Sequence, residues 1–290
     1  MKTAILTDTN SGLTVEEGRK SGIYVLPMPV IIEEQTYLEG VDITNGQLYR
    51  ALLDNKEVSS SQPSPGDVMA IWDRILDDGY DELAYIPMSS GLSGSCHNAI
   101  QLAAEYNSKV WVVDNHRISV TLMESVLDAK SLADRGKTAA EIKESLETNA
   151  YQSSIYVTVN SLKYLKKSGR ITPSAAAVAN ILNIKPVLTI QGEKLDSFAK
   201  ARGSRQSLKK MIEALQMDIA TRFSKIPARR LQIGAAGTYE KQEDADCWLD
   251  MVQSSFPENP VYYIPLSCSI ACHVGVNAAG IGVSVTEERN

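Results

Sequence analysis

Short apolar runs alternate with longer stretches of helical spacing along this chain, and polar residues gather where each run stops. Thr3 to Leu6 reads as a strand ending at Asp8-Thr9-Asn10-Ser11; Thr14, with Glu17 three residues on, then opens a helix through a capping box and closes it near Gly22. Ile23 to Ile32 is apolar and β-branched, but Pro27 and Pro29 demote part of it to an edge or an extended connection. Thr44 opens a further helix through Gln47, Tyr49 and Leu52. Val58 to Pro65 reads as a polar loop ending in an N-cap at Ser64, with Pro65 at N1 and Asp67 at N3; the helix that follows runs through Val68, Ile71, Trp72 and Ile75.

Leu83 to Pro87 is a buried-strand pattern that runs straight into Met88-Ser89-Ser90-Gly91-Leu92-Ser93-Gly94-Ser95, and helical spacing resumes from Cys96 to Tyr106. Hydroxyls and glycines between a strand end and a helix start suit an anion, because free N–H groups and the helix dipole point there. The same turn also fits an ordinary helix N-cap. Lys109 to Val113 is another strand, stopping at Asp114-Asn115-His116; helical patterns follow at Ile118 to Arg135 and, after the Thr138 and Glu141 capping box, at Ala139 to Tyr151. Strands ending at Asp8, Ser89 and Asp114 and joined by helices predict a parallel doubly wound sheet, with those three loops around one crevice.

Beyond Tyr151 the pattern changes. Six apolar runs, at Ile155 to Val159, Pro186 to Ile190, Lys194 to Phe198, Leu231 to Ala235, Val261 to Ile264 and Ile281 to Val285, predict strands of a mixed sheet, with a hairpin around Gln191-Gly192. The fold class read from this is α/β, with a parallel α/β/α sheet domain over 1–155 and a second α/β domain with a mixed six-stranded sheet over 156–290. A chain of 290 residues has room for both.

A net charge of −6 argues against nucleic acid or an anionic membrane surface as the main partner. The amino terminus meets Asp8 after a very short apolar run, which reads as neither signal peptide nor membrane anchor and predicts a cytoplasmic protein. Cys96, Cys247, Cys268 and Cys272 are too few and scattered for a disulfide framework, and Cys268, Cys272 and His273 lack the second pair that a zinc site needs.

Ser60-Ser61-Gln62-Pro63-Ser64, Ser89 to Ser95, Leu162 to Ile171 (with Lys166-Lys167-Ser168-Gly169-Arg170), Asn183-Ile184-Lys185-Pro186 and His273-Val274-Gly275 occur in the order and approximate spacing of the DegV family, which the chain resembles over nearly its whole length. That resemblance implies a bacterial fatty-acid-binding protein, the non-catalytic, acyl-carrying subunit of a fatty acid kinase. It implies a two-domain fold with a parallel sheet first and a mixed six-stranded sheet second. A long-chain fatty acid would lie in an apolar tunnel, its carboxylate near the domain interface on Ser60 or Ser61 and Ser93, with Arg170 and His273 close by. Arg202 matches a basic surface position that the family uses against its ATP-dependent kinase. No cofactor or metal is implied, and the acyl phosphate would pass on to phospholipid synthesis. One departure stands out: His273-Val274-Gly275 continues as Val276-Asn277, where the family usually has Pro-Gly.

Taken alone, the residues leave plainer roles open. Arg170 follows a helix end, where a cation is favourable, and His273 fits a hydrogen-bonded core histidine. A serine hydrolase is the rival reading: Gly91-Leu92-Ser93-Gly94-Ser95 misses the G-x-S-x-G elbow by one residue, and Ser93, His273 and Asp246 make a drawable triad. Neither G-x-x-x-x-G-K-[ST] nor G-x-G-x-x-G occurs to support a nucleotide-using enzyme.

Overall fold

The computed structural model describes residues 1–177 and 184–289, so Asn183 of the sequence pattern lies outside the described residues. The first half runs β1 (Thr3–Asp8), α1 (Val15–Lys20), β2 (Tyr24–Leu26), β3 (Pro29–Ile32), β4 (Gln35–Leu38), α2 (Asn45–Leu53), β5 (Val58–Ser60), α3 (Pro65–Asp77), β6 (Glu82–Ile86), α4 (Ser95–Ala103), β7 (Val110–Val112), α5 (Ser119–Asp134) and α6 (Ala139–Thr148). The second runs β8 (Ser153–Thr158), α7 (Lys163–Ser168), α8 (Pro173–Ala177), β9 (Ile184–Ile190), β10 (Asp196–Arg202), α9 (Ser204–Ala220), β11 (Leu231–Gly237), α10 (Gln242–Ser255), β12 (Val261–Pro265), α11 (Cys268–Val274) and β13 (Ala279–Val285).

Two principal sheets carry the chain. The first, in order β2-β1-β6-β7, is parallel throughout, and β1 and β6 are buried along their whole length, as strands covered on both faces must be. The second, in order β10-β9-β8-β13-β11-β12, is mixed: only β11 and β12 pair in parallel. The α/β class with a parallel and a six-stranded mixed sheet is therefore as the sequence predicts. The predicted caps form too, with reciprocal boxes at Thr14 and Glu17, Thr44 and Gln47, and Thr138 and Glu141, and Ser64 accepting from Asp67 N–H.

Three readings change. Ile23 to Ile32 divides into β2 and β3, and β3 pairs on one side with β4 and on the other with β5 to make a small antiparallel sheet, β4-β3-β5. Pro29 opens β3, where its missing N–H leaves the ladder intact. Val58 to Ser60 is thus a strand rather than loop: three residues, two of them serine, carry no alternation to read. The run placed at Lys194 to Phe198 sits later, at Asp196–Arg202, because β10 is an exposed edge whose alternation mixes small and charged residues.

Helix α5 lies between the sheets, packing on β1, β11 and β13. It approaches closely because Gly234 and Gly282 face it: a Cβ on either would stand 2.4 or 2.8 Å from Val120. Ile5, Ile86 and Val113 share one apolar cluster with Ile155, Val157, Leu188 and Ile264, so the core is continuous across the two halves. Among the described residues no helix is long and apolar enough to cross a membrane.

Candidate functional site

A cavity of about 240 Å³ opens within this shared core. Its walls are mostly aliphatic, among them Val120, Ile155, Val157, Ile190, Ala236 and Ile281. Set into them are Ser60, Ser61, Ser93, Arg170 and His273, all five of the residues expected around a head group.

Contacts link these five. Ser60 ends β5 and its Oγ lies 2.8 Å from Nε2 of His273, on α11. Gln62, two residues on, accepts from Asn98 Nδ2 at 2.9 Å, which holds the serine strand against the Gly94 end of the glycine turn. Arg170 donates from Nε to the Leu92 carbonyl at 3.3 Å and from an Nη to the Ser168 carbonyl, so its guanidinium is moored beside Ser93. Ser93 Oγ accepts from Ser95 N–H at 3.2 Å and donates to Ser95 Oγ at 3.1 Å. The N-cap of α4 is Gly94, which has no side chain to cap it, so apart from the Ser95 N–H taken by Ser93 the first-turn N–H groups are left as the sequence suggested. Ser61 Oγ donates only to the neighbouring Gln62 carbonyl, at 3.2 Å.

Electrostatics set the roles. His273 is pushed down to about 4, first by burial and then by the Arg170 charge, so it is neutral near pH 7. Its Nδ1 is buried with no hydrogen-bond partner among the described residues, and an unpaired N–H is rarer than an unpaired lone pair. We therefore assign the tautomer with the proton on Nε2, donating to Ser60 Oγ and leaving the Ser60 hydrogen free to donate elsewhere. Among the described residues no carboxylate lies within ion-pair distance of Arg170.

The predicted crevice of three strand-end loops forms only in part. Met88, Leu92 and Ser93 reach the cavity, while the acids serve the scaffold: Asp8 accepts from Met88 N–H at 3.1 Å, and Asp114 from Ser90 N–H at 3.2 Å. The glycine turn also docks on the β9–β10 hairpin, where Ser89 Oγ donates to the Gly192 carbonyl and a Cβ on Gly91 would stand 2.4 Å from that same oxygen. Arg202 lies apart, exposed on the edge strand β10.

The hydrolase triad does not assemble. Asp246 is exposed on α10 and accepts from Gln242 Nε2 at 2.8 Å, His273 Nε2 pairs with Ser60 and not Ser93, and the ring nitrogen of His273 that an acid would orient has no partner among the described residues. The four cysteines are free, and among the described residues no three His, Cys, Asp or Glu side chains group to hold a metal. Ser269 also lines the cavity and escaped the sequence reading, although its place four residues before His273 puts both on one helix face.

A family model described as "Uncharacterised protein, DegV family" matches residues 2–286. The chain belongs to the DegV family. A DegV domain-containing protein of Deinococcus radiodurans is 33% identical over 214 residues, covering 73% of this chain and 76% of its own length. Among solved structures, a fatty acid binding DegV family protein from Streptococcus agalactiae is 25% identical, with a TM-score of 0.85 over 99% of this chain and all of its own. A DegV family protein from Thermus thermophilus, described for its fatty acid binding, superposes with a TM-score of 0.87 at 24% identity, over 98% of this chain and all of its own. Solved DegV relatives thus bind fatty acids, and this DegV chain shares their fold.

Proposed function

We propose that this protein is a non-catalytic carrier of a long-chain fatty acid. What carries the reading is the combination in one apolar cavity of a cation, Arg170, that has no carboxylate partner among the described residues, and a hydroxyl, Ser60, whose hydrogen the assigned His273 tautomer leaves free. The acyl chain needs only the aliphatic wall, and withdrawing it from water supplies the main driving force, roughly 0.8 kcal/mol per buried methylene. A carboxylate entering this medium must find donors and counter-charge. Ser60, Ser61 and Ser93 donate hydroxyls, Arg170 supplies charge, and neutral His273 supports Ser60 from behind. The ligand lies between units that we divide at 1–155 and 156–290.

In this reading the bound acid is presented to a separate ATP-dependent fatty acid kinase in the cytoplasm. A carboxylate oxygen attacks the γ-phosphorus and ADP leaves, giving an acyl phosphate that the cavity shields from water until phospholipid synthesis takes it. Arg202, exposed outside the cavity, faces the kinase, and the carrier itself needs no cofactor. Native mass spectrometry of the purified protein tests the central step. An added mass of one fatty acid is the expected result, lost together with affinity in Ser61→Ala/Ser93→Ala. Unchanged affinity in that double variant overturns the head-group assignment, and failure to take up any fatty acid overturns the carrier.

A further inference from the structure

The geometry points to Glu39, which does not line the acyl cavity, as a positioning residue for the head-group site: its carboxylate holds the start of α11 and thereby fixes where His273 meets Ser60. The inference rests on the fatty-acid reading above. Glu39 follows β4 and is 7% exposed. One of its oxygens accepts from Cys268 N–H, the first amide of α11, and the other from Thr9 Oγ1 at 2.8 Å. Thr9 Oγ1 in turn accepts from Met28 N–H at 3.1 Å, which ties the carboxylate to the wall of the cavity.

A second tether runs parallel. Asn45 donates from Nδ2 to the Leu266 carbonyl at 3.0 Å, and its Oδ1 accepts from Cys268 Sγ at 3.1 Å. Ser267, the N-cap of α11, donates to Asn10 Oδ1 at 3.0 Å. Every one of these partners of the α11 entry comes from the first half of the chain.

Helix α11 has only seven residues, and Ser269, Ile270, His273 and Val274 all line the cavity. Two turns leave little length over which to absorb a shift at the first amide, so a displaced Cys268 displaces His273. Stability alone does not account for the carboxylate. Buried acids are ordinarily paired with cations, and among the described residues no Lys, Arg or His lies within ion-pair distance of Glu39. Two acceptor oxygens in one plane, grasping an amide and a hydroxyl from separate elements, is something a glutamine does not reproduce, since one of its ends donates.

The test is a cycle of Glu39→Gln and His273→Gln, read by oleate affinity and by the His273 Cε1–H resonance of the ligand-free protein. Glu39→Gln is expected to weaken oleate about tenfold in the wild-type background, as loss of an outer partner of a binding group does, and to have no further effect once His273 is Gln. The His273 resonance is expected to move in Glu39→Gln without ligand. Thr9→Val, which removes the hydroxyl's bonds to Glu39 and from Met28 N–H and keeps the charge, should act in the same direction and serves if Glu39→Gln fails to fold. Equal weakening in both backgrounds, or an unmoved resonance, overturns the inference. If wild-type protein takes up no oleate, the carrier reading fails, while the resonance still decides whether Glu39 places His273.

Discussion

Ser60 Oγ lies 2.8 Å from His273 Nε2, joining the last residue of β5 to the penultimate residue of α11. The bond crosses the two halves of the chain inside the cavity wall, where an unmatched polar atom is expensive. Ser60→Ala leaves Nε2 buried and alone, and the fold is expected to lose about 1–3 kcal/mol. Oleate affinity falls with it, whereas Ser60→Thr keeps the hydroxyl and both properties. Thermal melts and titration calorimetry on the three proteins check this.

In the carrier reading, Arg170 is the group that distinguishes a charged head from a neutral one. Wild-type protein is expected to prefer oleate to oleyl alcohol, because only the acid brings a partner for the guanidinium. In Arg170→Gln the preference collapses through loss of oleate affinity while oleyl alcohol is little changed. Competition binding between the two ligands measures it, and a preference that survives the substitution removes Arg170 from the head-group site.

Stability should depend on pH through two buried acids. Asp8 is pushed up to about 6 and Glu39 to about 7, in each case first by burial, with hydrogen bonds from neighbouring groups pulling back. The folded chain then keeps protons that the unfolded chain has released, so their contribution is most favourable below about pH 4 and is lost as pH rises through about 6 to 7. A shift of this size is worth ~3 kcal/mol for each. His273 works oppositely: held neutral in the fold, it contributes fully above its unfolded value and is lost as pH falls toward about 4. In melts between about pH 5 and pH 8, Asp8→Asn is expected to flatten the decline by its own share; an unaltered slope would exonerate Asp8.

Gly280, on β13, lines the cavity, and a Cβ there meets nothing nearer than 3.8 Å. Gly280→Val therefore adds volume to the wall without a backbone clash. The expected outcome is a shift toward shorter acids with the fold retained, measured by native mass spectrometry on a mixture of chain lengths. An unchanged preference would place the acyl chain elsewhere.

What the sequence disclosed follows physical range. The caps at Thr14, Thr44, Ser64 and Thr138 were legible because an N-cap acts over three residues, and the long apolar runs of β8, β11 and β13 declared themselves. β5 was hidden, since two of its three residues are serine and its identity comes from pairing with β3. Ser60 and His273 stand 213 residues apart, and no local pattern announces that they touch; the family resemblance supplied both, and the fold supplied their contact. Ser269 was within reach of helical spacing from His273. Glu39 was not, for an acid beside Gly40 reads as exposed loop until α11 arrives to bury it.

The continuous core has a mechanical corollary. In the carrier reading, a molecule seated among Met88, Leu92, Ile155 and Val157, which belong to this one cluster and line the cavity, touches both halves at once. On that reading, separating the halves would open the cavity and release the cargo, and a bound cargo would tie them together.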